Sequence, residues 1–174
     1  MRSPVSITKA ITVDEITSIR PLAREHIQYE RSVVTVPTDW AETMTYLVAD
    51  GRVVVLVAWV DSEAIGYASI TTEVSTWTAE TFAHLDCLYV AEAHRSAGIG
   101  RLLVDAAAKE ARSQGHQEMQ WQTPEWNSAA IRFYERLGAT HHAKERFTLA
   151  LPNIPLADSS ENDGNVGGAA YRRN

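Results

Sequence analysis

An amphipathic helix predicted at residues 98–114 is the feature that most constrains the fold of this chain. Its apolar residues recur at helical spacing, and its charged residues occupy the opposite face. Three segments with many valines or alternating apolar residues precede the helix and predict strands at residues 52–60, 64–73 and 82–90.

The remaining elements complete an α+β order, with mostly antiparallel strands followed by a βαβ unit. Residues 5–11 predict a first strand, and Thr12 and Glu15 then form a capping box that begins a helix. Pro21 interrupts this helical pattern, which predicts either a kink or a second helix with Pro21 in its first turn. The other predicted elements are a helix at residues 39–49 capped by Thr38 or Asp39, a strand at 118–123, a helix capped by Asn127 and ending at Gly138, and a strand at 147–151.

The length and composition of the chain limit its architecture and its partners. Its 174 residues fit one domain, which we predict to span residues 1–151, followed by a flexible tail at 152–174. The single cysteine, Cys87, excludes an internal disulfide and a cysteine-based zinc site. His141 and His142 are adjacent and lack the spacing of metal ligands, so we expect no metal. The formal net charge of −6 disfavours nucleic acid and favours a small cationic partner.

Neither a signal peptide nor a membrane helix is predicted. The start of the chain has no apolar run of the length that a signal peptide needs. The longest strongly apolar stretch, residues 53–60, is well short of the roughly 20 residues that a membrane helix needs. We therefore expect a cytoplasmic protein without a membrane partner.

The loop at residues 94–101 joins a predicted strand to the amphipathic helix and carries the clearest chemical signal. Gly98 and Gly100 let backbone amides approach a ligand, the helix directs its free N–H groups and positive dipole end to the same place, and Arg95 adds charge. A phosphate or pyrophosphate is the expected guest. Two nucleotide-binding motifs do not fit, because no lysine follows Gly100 and Leu103 replaces the third glycine of the dinucleotide pattern. The alternative is an ordinary glycine-containing connection with a surface arginine.

Two motifs together resemble the GNAT superfamily of N-acetyltransferases. Arg95-x-x-Gly98-x-Gly100, preceded by Leu-Tyr-Val, is similar to the acetyl-CoA pyrophosphate loop of that family. The segment at residues 127–138, which begins Asn-Ser-Ala-Ala-Ile-Arg-Phe-Tyr, is similar to the Asn-x-x-Ala-x-x-Phe-Tyr-x-x-x-Gly-Phe segment of the family. The two motifs occur in the expected order, and the likeness covers about residues 5–151.

This resemblance implies a GNAT fold, in which a mixed, mostly antiparallel central sheet is flanked by helices and splayed between its fourth and fifth strands. Pro124, which ends the fifth predicted strand, suits a place where sheet pairing stops. Acetyl-CoA is the implied cofactor, with its pantetheine arm in the opening between the strands. Because dimers are common in this superfamily, the resemblance allows a homodimer. The residues implied to bind the cofactor are Leu88, Tyr89, Val90, Arg95, Ser96, Ala97, Gly98, Ile99, Gly100, Arg101, Asn127 and Tyr134.

The implied reaction is attack of a neutral amine on the acetyl thioester, from which coenzyme A leaves as a thiolate. It needs a base, because a free alkylammonium has a pKa near ~10.4, and it needs a proton source for the thiolate. By resemblance Tyr134 is the acid, since the tyrosine of the family at this place puts its hydroxyl near the thioester sulfur. From spacing alone Tyr134 belongs to a core stripe with Phe133 and Leu137, and both can hold if the ring packs while the hydroxyl faces the cleft.

Asp86 is the candidate base. It stands in an otherwise apolar strand, where period two predicts Asp86, Leu88 and Val90 on one face. Cys87 then points away from Asp86 as a small core residue, so we propose no acetyl-cysteine intermediate. Diamine N-acetyltransferases of the spermidine/spermine type carry Glu at this spacing and share the Glu-Trp-Asn that opens the segment of Tyr134. The shorter Asp requires a bridging water to act on the amine, and the alternative is a carboxylate paired in the core.

Contacts to the acceptor are predicted from acidic, histidine and tryptophan side chains in the regions that line the acceptor side of GNAT folds. For each acidic residue the alternative is a solvated charged face, and for the histidine it is a satisfied edge residue. The tryptophan can stack on a sugar or an amine, or it can cover the sheet edge. The candidates are Glu25, Glu30, Glu73, Trp77, Glu80, His84 and Asp86.

We therefore predict direct transfer of an acetyl group, within a ternary complex, to a primary amine of a small cationic compound. The acceptor classes are an aminoglycoside-type antibiotic, which would be a resistance reaction, and a polyamine or diamine. The excess of carboxylates favours such polycations over acidic acceptors. The alternatives are an acetyltransferase of protein lysines or N-termini, and a non-catalytic acyl-CoA sensor that keeps the fold without the chemistry.

Overall fold

Five strands form one sheet within residues 3–149, which are the residues that the computed structural model describes. The first four strands pair antiparallel with their neighbours, and the fifth lies parallel to the fourth. This mixed sheet confirms the predicted α+β class and its βαβ unit. In chain order, which is also the order across the sheet, the strands are β1 Val5–Lys9, β2 Val54–Val60, β3 Glu63–Ser75, β4 Glu80–Val90 and β5 Met119–Gln120.

The sheet is accompanied by helices, and local signals in the sequence explain where they start. The capping box is present, with the Thr12 hydroxyl accepting from the Glu15 amide. Pro21 stands in the first turn of the second helix, so that alternative is confirmed over the kink. Asp39 is the N-cap residue of the third helix but makes no side-chain capping hydrogen bond. The helices are α1 Val13–Ser18, α2 Arg20–Tyr29, α3 Trp40–Ala49, α4 Ile99–Ser113 and α5 Ser128–Arg136.

Two apolar clusters pack the layers together. On one face of the sheet α1, α2 and α3 contribute to a cluster in which Ile16 and Ile19 are almost fully buried. On the other face α4 buries Leu103 and Ala107 against the alternate side chains of the strands. The amphipathic helix predicted at residues 98–114 is thereby confirmed, and it covers one face of the sheet.

β4 and β5 separate after two residue pairs. Ala83 pairs with Met119 and His84 with Gln120, and no further pair follows among the described residues. The predicted fifth strand at residues 118–123 is therefore too long, because a segment without a hydrogen-bonded neighbour does not form a strand. The opening beside the remainder of β4 is the splay expected between the fourth and fifth strands.

A β-bulge interrupts β4 at Asp86. Leu85 pairs with Ile70 and Cys87 pairs with Ser69, so Asp86 is an extra residue without a partner on β3. The extra residue breaks strict alternation, and side chains before and after it no longer follow one period of two.

Two predictions about the faces of β4 are wrong because of this bulge. Leu88 and Val90 pack against the cluster beneath α4, whereas Asp86 is exposed and does not share their face. Cys87 does not point away from Asp86, since its thiol donates to the Asp86 carboxylate with a sulfur–oxygen distance of 3.7 Å. Two consecutive side chains thus come together where strict alternation predicts opposite directions.

Residues 141–149 belong to a second unit of the chain, and the first unit ends at Thr140. They carry no helix or strand, so the strand predicted at 147–151 is wrong over its described part. Phe147 and Leu149 alternate as strand residues do, but no described segment pairs with them, and a strand needs a hydrogen-bonded neighbour. The rest of that predicted strand and the predicted tail lie outside the described residues.

Three further observations concern membranes, metals and thiols in the part of the chain that the structure describes. None of its helices combines the length and the apolar character needed to cross a membrane. No group of three or more His, Cys, Asp or Glu side chains within residues 3–149 is arranged to hold a metal ion. Cys87 is a free thiol.

Candidate active site

The loop at residues 94–101, which we call the cofactor loop, presents open backbone amides. Gly98 is the N-cap of α4 and has a φ of 82°, a left-handed conformation that favours glycine. No side chain caps this helix, and a Cβ on Gly98 would meet nothing within 4 Å. Ser96 is also left-handed, with a φ of 62°, so the chain turns sharply before the helix begins. The first amides of α4 therefore face open space, which is the usual arrangement for binding a phosphate-type anion.

The residues after Gly98 have separate packing roles. Ile99 is buried in the cluster beneath α4. A Cβ on Gly100 would lie 3.3 Å from the Phe133 ring, so glycine allows α4 to approach α5 closely. The exposed Arg101 pairs with Asp105 one turn later, at 3.0 Å between Nε and Oδ2. The two glycines of the motif thus serve different purposes.

The Arg95 side chain turns toward the sheet. Its Nε donates to the Val90 carbonyl at 3.0 Å. Its guanidinium carbon lies 4.7 Å from the centre of the Tyr29 ring and 5.3 Å from that of Tyr89. Both distances lie within the roughly 6 Å over which a cation attracts an aromatic face. Arg95 therefore connects the cofactor loop with the end of β4 and with α2.

Three of the predicted acceptor residues lie together, with His84 between Glu73 and Asp86. Its Nδ1 lies 3.9 Å from the Glu73 carboxylate, and its Nε2 lies 3.9 Å from that of Asp86. The side chain of Asp86 is 59% exposed, because the bulge places it outside the core. Its carboxylate is therefore accessible to water.

Two other predicted carboxylates belong to α2 and its end, since Glu25 lies within the helix and Glu30 is its C-cap. Glu25 accepts a hydrogen bond from the Tyr89 hydroxyl at 3.2 Å. Glu30 lies 4.0 Å from Nε2 of His26, and burial raises the pKa of Glu30. The contact of Glu25 directs this side of α2 toward β4.

His26 is a member of this cluster that the sequence reasoning missed. Its Nδ1 lies 3.0 Å from the Tyr67 hydroxyl, and its ring stacks on that of Tyr89 with 5.1 Å between centroids. Burial lowers the pKa of His26 to about 4, with Asp86 opposing the shift and Arg95 adding to it. The imidazole is therefore neutral at neutral pH and acts as a hydrogen-bonding ring rather than a cation.

The thiol and the phenol beneath this cluster are protonated at neutral pH. Burial, and after it the negative charge of Asp86, raises the pKa of the Cys87 thiol to about 11. Burial also raises the pKa of Tyr67. Because a thiolate is the reactive form of cysteine, Cys87 is a poor nucleophile in this environment.

Tyr134 on α5 is packed among aromatic rings. The centroids of Trp121 and Phe133 lie 5.1 and 5.2 Å from its own. Burial, and to a lesser extent the charge of Glu30, raises the pKa of Tyr134 to about 12. The hydroxyl therefore holds its proton at neutral pH, which is the state that a proton donor requires.

Asn127 fixes the start of the helix that carries Tyr134. Its Oδ1 accepts from the Ala130 amide at 3.2 Å, which confirms it as the cap of α5. The same oxygen accepts from the Tyr29 hydroxyl at 3.2 Å. The buried Asn127 side chain, predicted to bind the cofactor, thus also joins α5 to α2.

Trp77 and Glu80 lie apart from the side chains just described. Trp77 stands in the turn between β3 and β4 and is 98% exposed, so it does not cover the sheet edge. Glu80 begins β4, and along an extended strand it lies about 20 Å from Asp86. Neither residue therefore belongs to the group of acceptor-side candidates described above.

The aromatic residues of the site were the main omission of the sequence reasoning. Tyr29, Tyr67 and Trp126 come from α2, β3 and the segment before α5, and their numbers follow no shared period. Trp126 lies 5.8 Å from Tyr29 between ring centroids, with the Arg31 guanidinium 4.4 Å from its own ring centre. The available signal was the Glu-Trp-Asn run before Ser128, which contains Trp126.

The chain matches a known protein family over most of the first unit. Residues 17–139 match the model of the acetyltransferase (GNAT) family. A solved aminoglycoside acetyltransferase from an uncultured soil metagenomic sample, in complex with trehalose, superimposes with a TM-score of 0.72. The alignment covers 84% of this chain and 96% of that chain at 18% identity, and a likeness at this identity shows the fold alone.

Two relatives by sequence are also acetyltransferases of small amines. The thialysine N-ε-acetyltransferase of Caenorhabditis elegans is 25% identical over 148 residues, which are 84% of this chain and 91% of the relative. The L-ornithine N5-acetyltransferase of Arabidopsis thaliana is 30% identical over 79 residues, 45% of this chain. That match spans only 35% of the length of the Arabidopsis protein.

Proposed function

The chain belongs to the acetyltransferase (GNAT) family, and on this premise we propose that it transfers an acetyl group from acetyl-CoA to a primary amine of a small cationic acceptor. A polyamine, a diamine or an aminoglycoside-type compound is the proposed acceptor class. The observation that carries the proposal is the packing of Tyr134 against Trp121, which follows β5, together with the exposed Asp86 at the bulge of the neighbouring β4. The protonated Tyr134 and the exposed Asp86 supply the two kinds of group that amine acetylation needs.

The cofactor loop fits a pyrophosphate group. The first amides of α4 are open, the left-handed Gly98 leaves space above them, and the positive end of the helix dipole points the same way. In this proposal the backbone at residues 97–101 holds the pyrophosphate, and Leu88 to Val90 lie beside the pantetheine arm. When bound, acetyl-CoA supplies the acetyl thioester that the amine attacks.

The acceptor side is acidic and aromatic, which suits an ammonium group. Glu25 accepts from the Tyr89 hydroxyl, Glu30 lies beside His26, and Asp86 lies beside His84. Carboxylates attract cations, and aromatic faces bind them within about 6 Å. The names of the ornithine, thialysine and aminoglycoside acetyltransferases support the same acceptor class.

In the proposed mechanism, the side chains of this protein hold and move two protons. Asp86 accepts the proton of the amine through a bridging water, since its exposed carboxylate is open to solvent. Tyr134 keeps a proton on its hydroxyl oxygen at neutral pH and donates it to the sulfur of the departing coenzyme A. The thiol of Cys87 remains protonated and takes no part.

The experiment that tests the proposal is release of coenzyme A, detected with a thiol reagent, over a panel of polyamines, diamines, aminoglycosides and lysine peptides. We expect turnover with at least one small polycation and little with peptides. Tyr134→Phe should lower kcat ten-fold or more while acetyl-CoA still binds, because it removes the proton donor but keeps the ring. Tyr46→Phe, on an exposed residue of α3, is the control. No release with any amine would refute the proposal, and an unchanged kcat would remove Tyr134 from the mechanism.

A further inference from the structure

Tyr29, the last residue of α2, contacts three parts of the site at once. Its ring lies beneath the Arg95 guanidinium, 4.7 Å from centroid to guanidinium carbon. The same ring is tilted by 60° against the Trp126 ring, with 5.8 Å between centroids. Its hydroxyl donates to Oδ1 of Asn127 at 3.2 Å. A single side chain therefore joins α2, the cofactor loop and the start of α5.

The hydroxyl of Tyr29 is connected through Asn127 and α5 to Tyr134, the proposed proton donor. Asn127 Oδ1 also accepts from the Ala130 amide, so one oxygen both caps α5 and binds Tyr29. α5 carries Tyr134 two turns later, and a helix transmits the position of its first turn along its length. A displacement of Asn127 would therefore displace Tyr134 relative to α2.

The ring of Tyr29 is connected to the cofactor loop through the charged side chain of Arg95. Arg95 is held on the other side by the Val90 carbonyl and also approaches Tyr89, so its guanidinium bridges β4 and α2. An anion bound at the amides of α4 changes the electrostatic potential at Arg95, three residues before Gly98. A change in Arg95 alters its attraction for the Tyr29 ring.

We infer that Tyr29 is a positioning residue that couples occupancy of the cofactor loop to the placement of the Tyr134 helix. This inference rests on the proposed function, because it assigns acetyl-CoA to the loop and proton donation to Tyr134. The ring transmits the state of Arg95, and the hydroxyl passes it to Asn127. Substitution of Tyr29 can remove the hydroxyl alone or the hydroxyl and the ring together.

Two variants separate the two contacts. Tyr29→Phe keeps the ring beneath Arg95 and removes only the hydroxyl, so kcat should fall about three- to ten-fold, the loss expected when a donor is misplaced. The affinity for acetyl-CoA and the KM for the amine should stay within about two-fold, since the cation–ring attraction remains. Tyr29→Leu removes both contacts, so its kcat should fall at least as far and its affinity for acetyl-CoA should fall as well. Tyr46→Phe and Tyr46→Leu, on an exposed tyrosine, are the matched controls.

A double-mutant cycle tests the ring contact without any amine. Isothermal titration calorimetry gives the Kd for acetyl-CoA of wild type, Tyr29→Leu, Arg95→Gln and the double variant. The cycle reports how much the contact changes on binding, so we expect the effects to be non-additive by up to about two- to five-fold, the full strength of a cation–π contact. Repeating the cycle with Tyr29→Phe should give additive effects, because the phenyl ring still lies under Arg95. A residue with a purely structural role would lower the urea midpoint in each variant without separating kcat from KM.

The outcomes distinguish the inference from the proposed function. Additive effects in the leucine cycle, or a kcat for Tyr29→Phe equal to that of wild type, would overturn the coupling role while leaving the proposed function intact. If wild type binds acetyl-CoA but acetylates no amine, the proposed function fails and the calorimetric cycle alone decides the inference. If wild type does not bind acetyl-CoA, both fail, because the coupling begins at the occupied loop.

Discussion

Replacing the buried His26 should remove a specific dependence of stability on pH. The imidazole contacts Tyr67 and Tyr89, and burial lowers its pKa to about 4. In the unfolded chain the pKa returns to about 6.5. Between these two values the unfolded state therefore binds more protons than the native state, and stability must rise with pH in that window.

The size of the effect follows from the two pKa values of His26. A shift from 6.5 to about 4 corresponds to about 3 kcal/mol of stability that is present above pH 6.5 and fully lost below pH 4. About 2 kcal/mol of this is already lost at pH 5, where the unfolded imidazole is protonated and the native one is not. Glu30, whose pKa is raised by burial, shifts stability in the opposite direction and is common to wild type and variant.

The assay is urea unfolding followed by tryptophan fluorescence at pH 7, 6 and 5. His26→Gln keeps a polar side chain that does not titrate. Between pH 7 and pH 5 we therefore expect its free energy of unfolding to fall by about 2 kcal/mol less than that of wild type. His142→Gln, at an exposed histidine, should follow wild type. Parallel pH dependences for wild type and His26→Gln would show that burial does not depress this pKa.

Four further substitutions test the backbone and the acid–base assignments. Gly98→Val and Gly51→Val both force a β-branched residue into a positive φ in open space and should cost about 1–3 kcal/mol in urea unfolding, but only Gly98→Val should weaken acetyl-CoA binding in calorimetry. Gly66→Ala would place a Cβ 2.9 Å from the Tyr89 carbonyl oxygen and should lower stability by about 1–3 kcal/mol, again read from the urea midpoint. Asp86→Asn should lower kcat and change the pH profile of the reaction, and a profile superimposable on that of wild type would place the base elsewhere.

The positions that the sequence predicted well depend on neighbours within a few residues. The capping box of Thr12 and Glu15, the helix start at Pro21 and the cap at Asn127 are each decided inside one helical turn. The loop around Gly98 is equally local, because its left-handed backbone is a property of that residue. Local chemistry of this kind can be read directly from the chain.

The features that the sequence did not predict depend on partners far along the chain. The bulge at Asp86 exists because β4 has one residue more than β3 between two paired positions, and a single strand does not reveal this. The short β5 ends where β4 turns away from it, which again is a property of two strands. Tyr29 meets Arg95 and Asn127 only after the fold brings three distant segments together.

The bulge also makes Asp86 a residue that β4 can lose without a change of phase. Because Asp86 has no partner on β3, deleting it would leave the pairs on either side of it as consecutive pairs of a regular ladder. The side chains that follow would keep their faces, with Leu88 toward α4 and Tyr89 toward α2. The carboxylate at this position is therefore carried by a strand whose pairing does not depend on it.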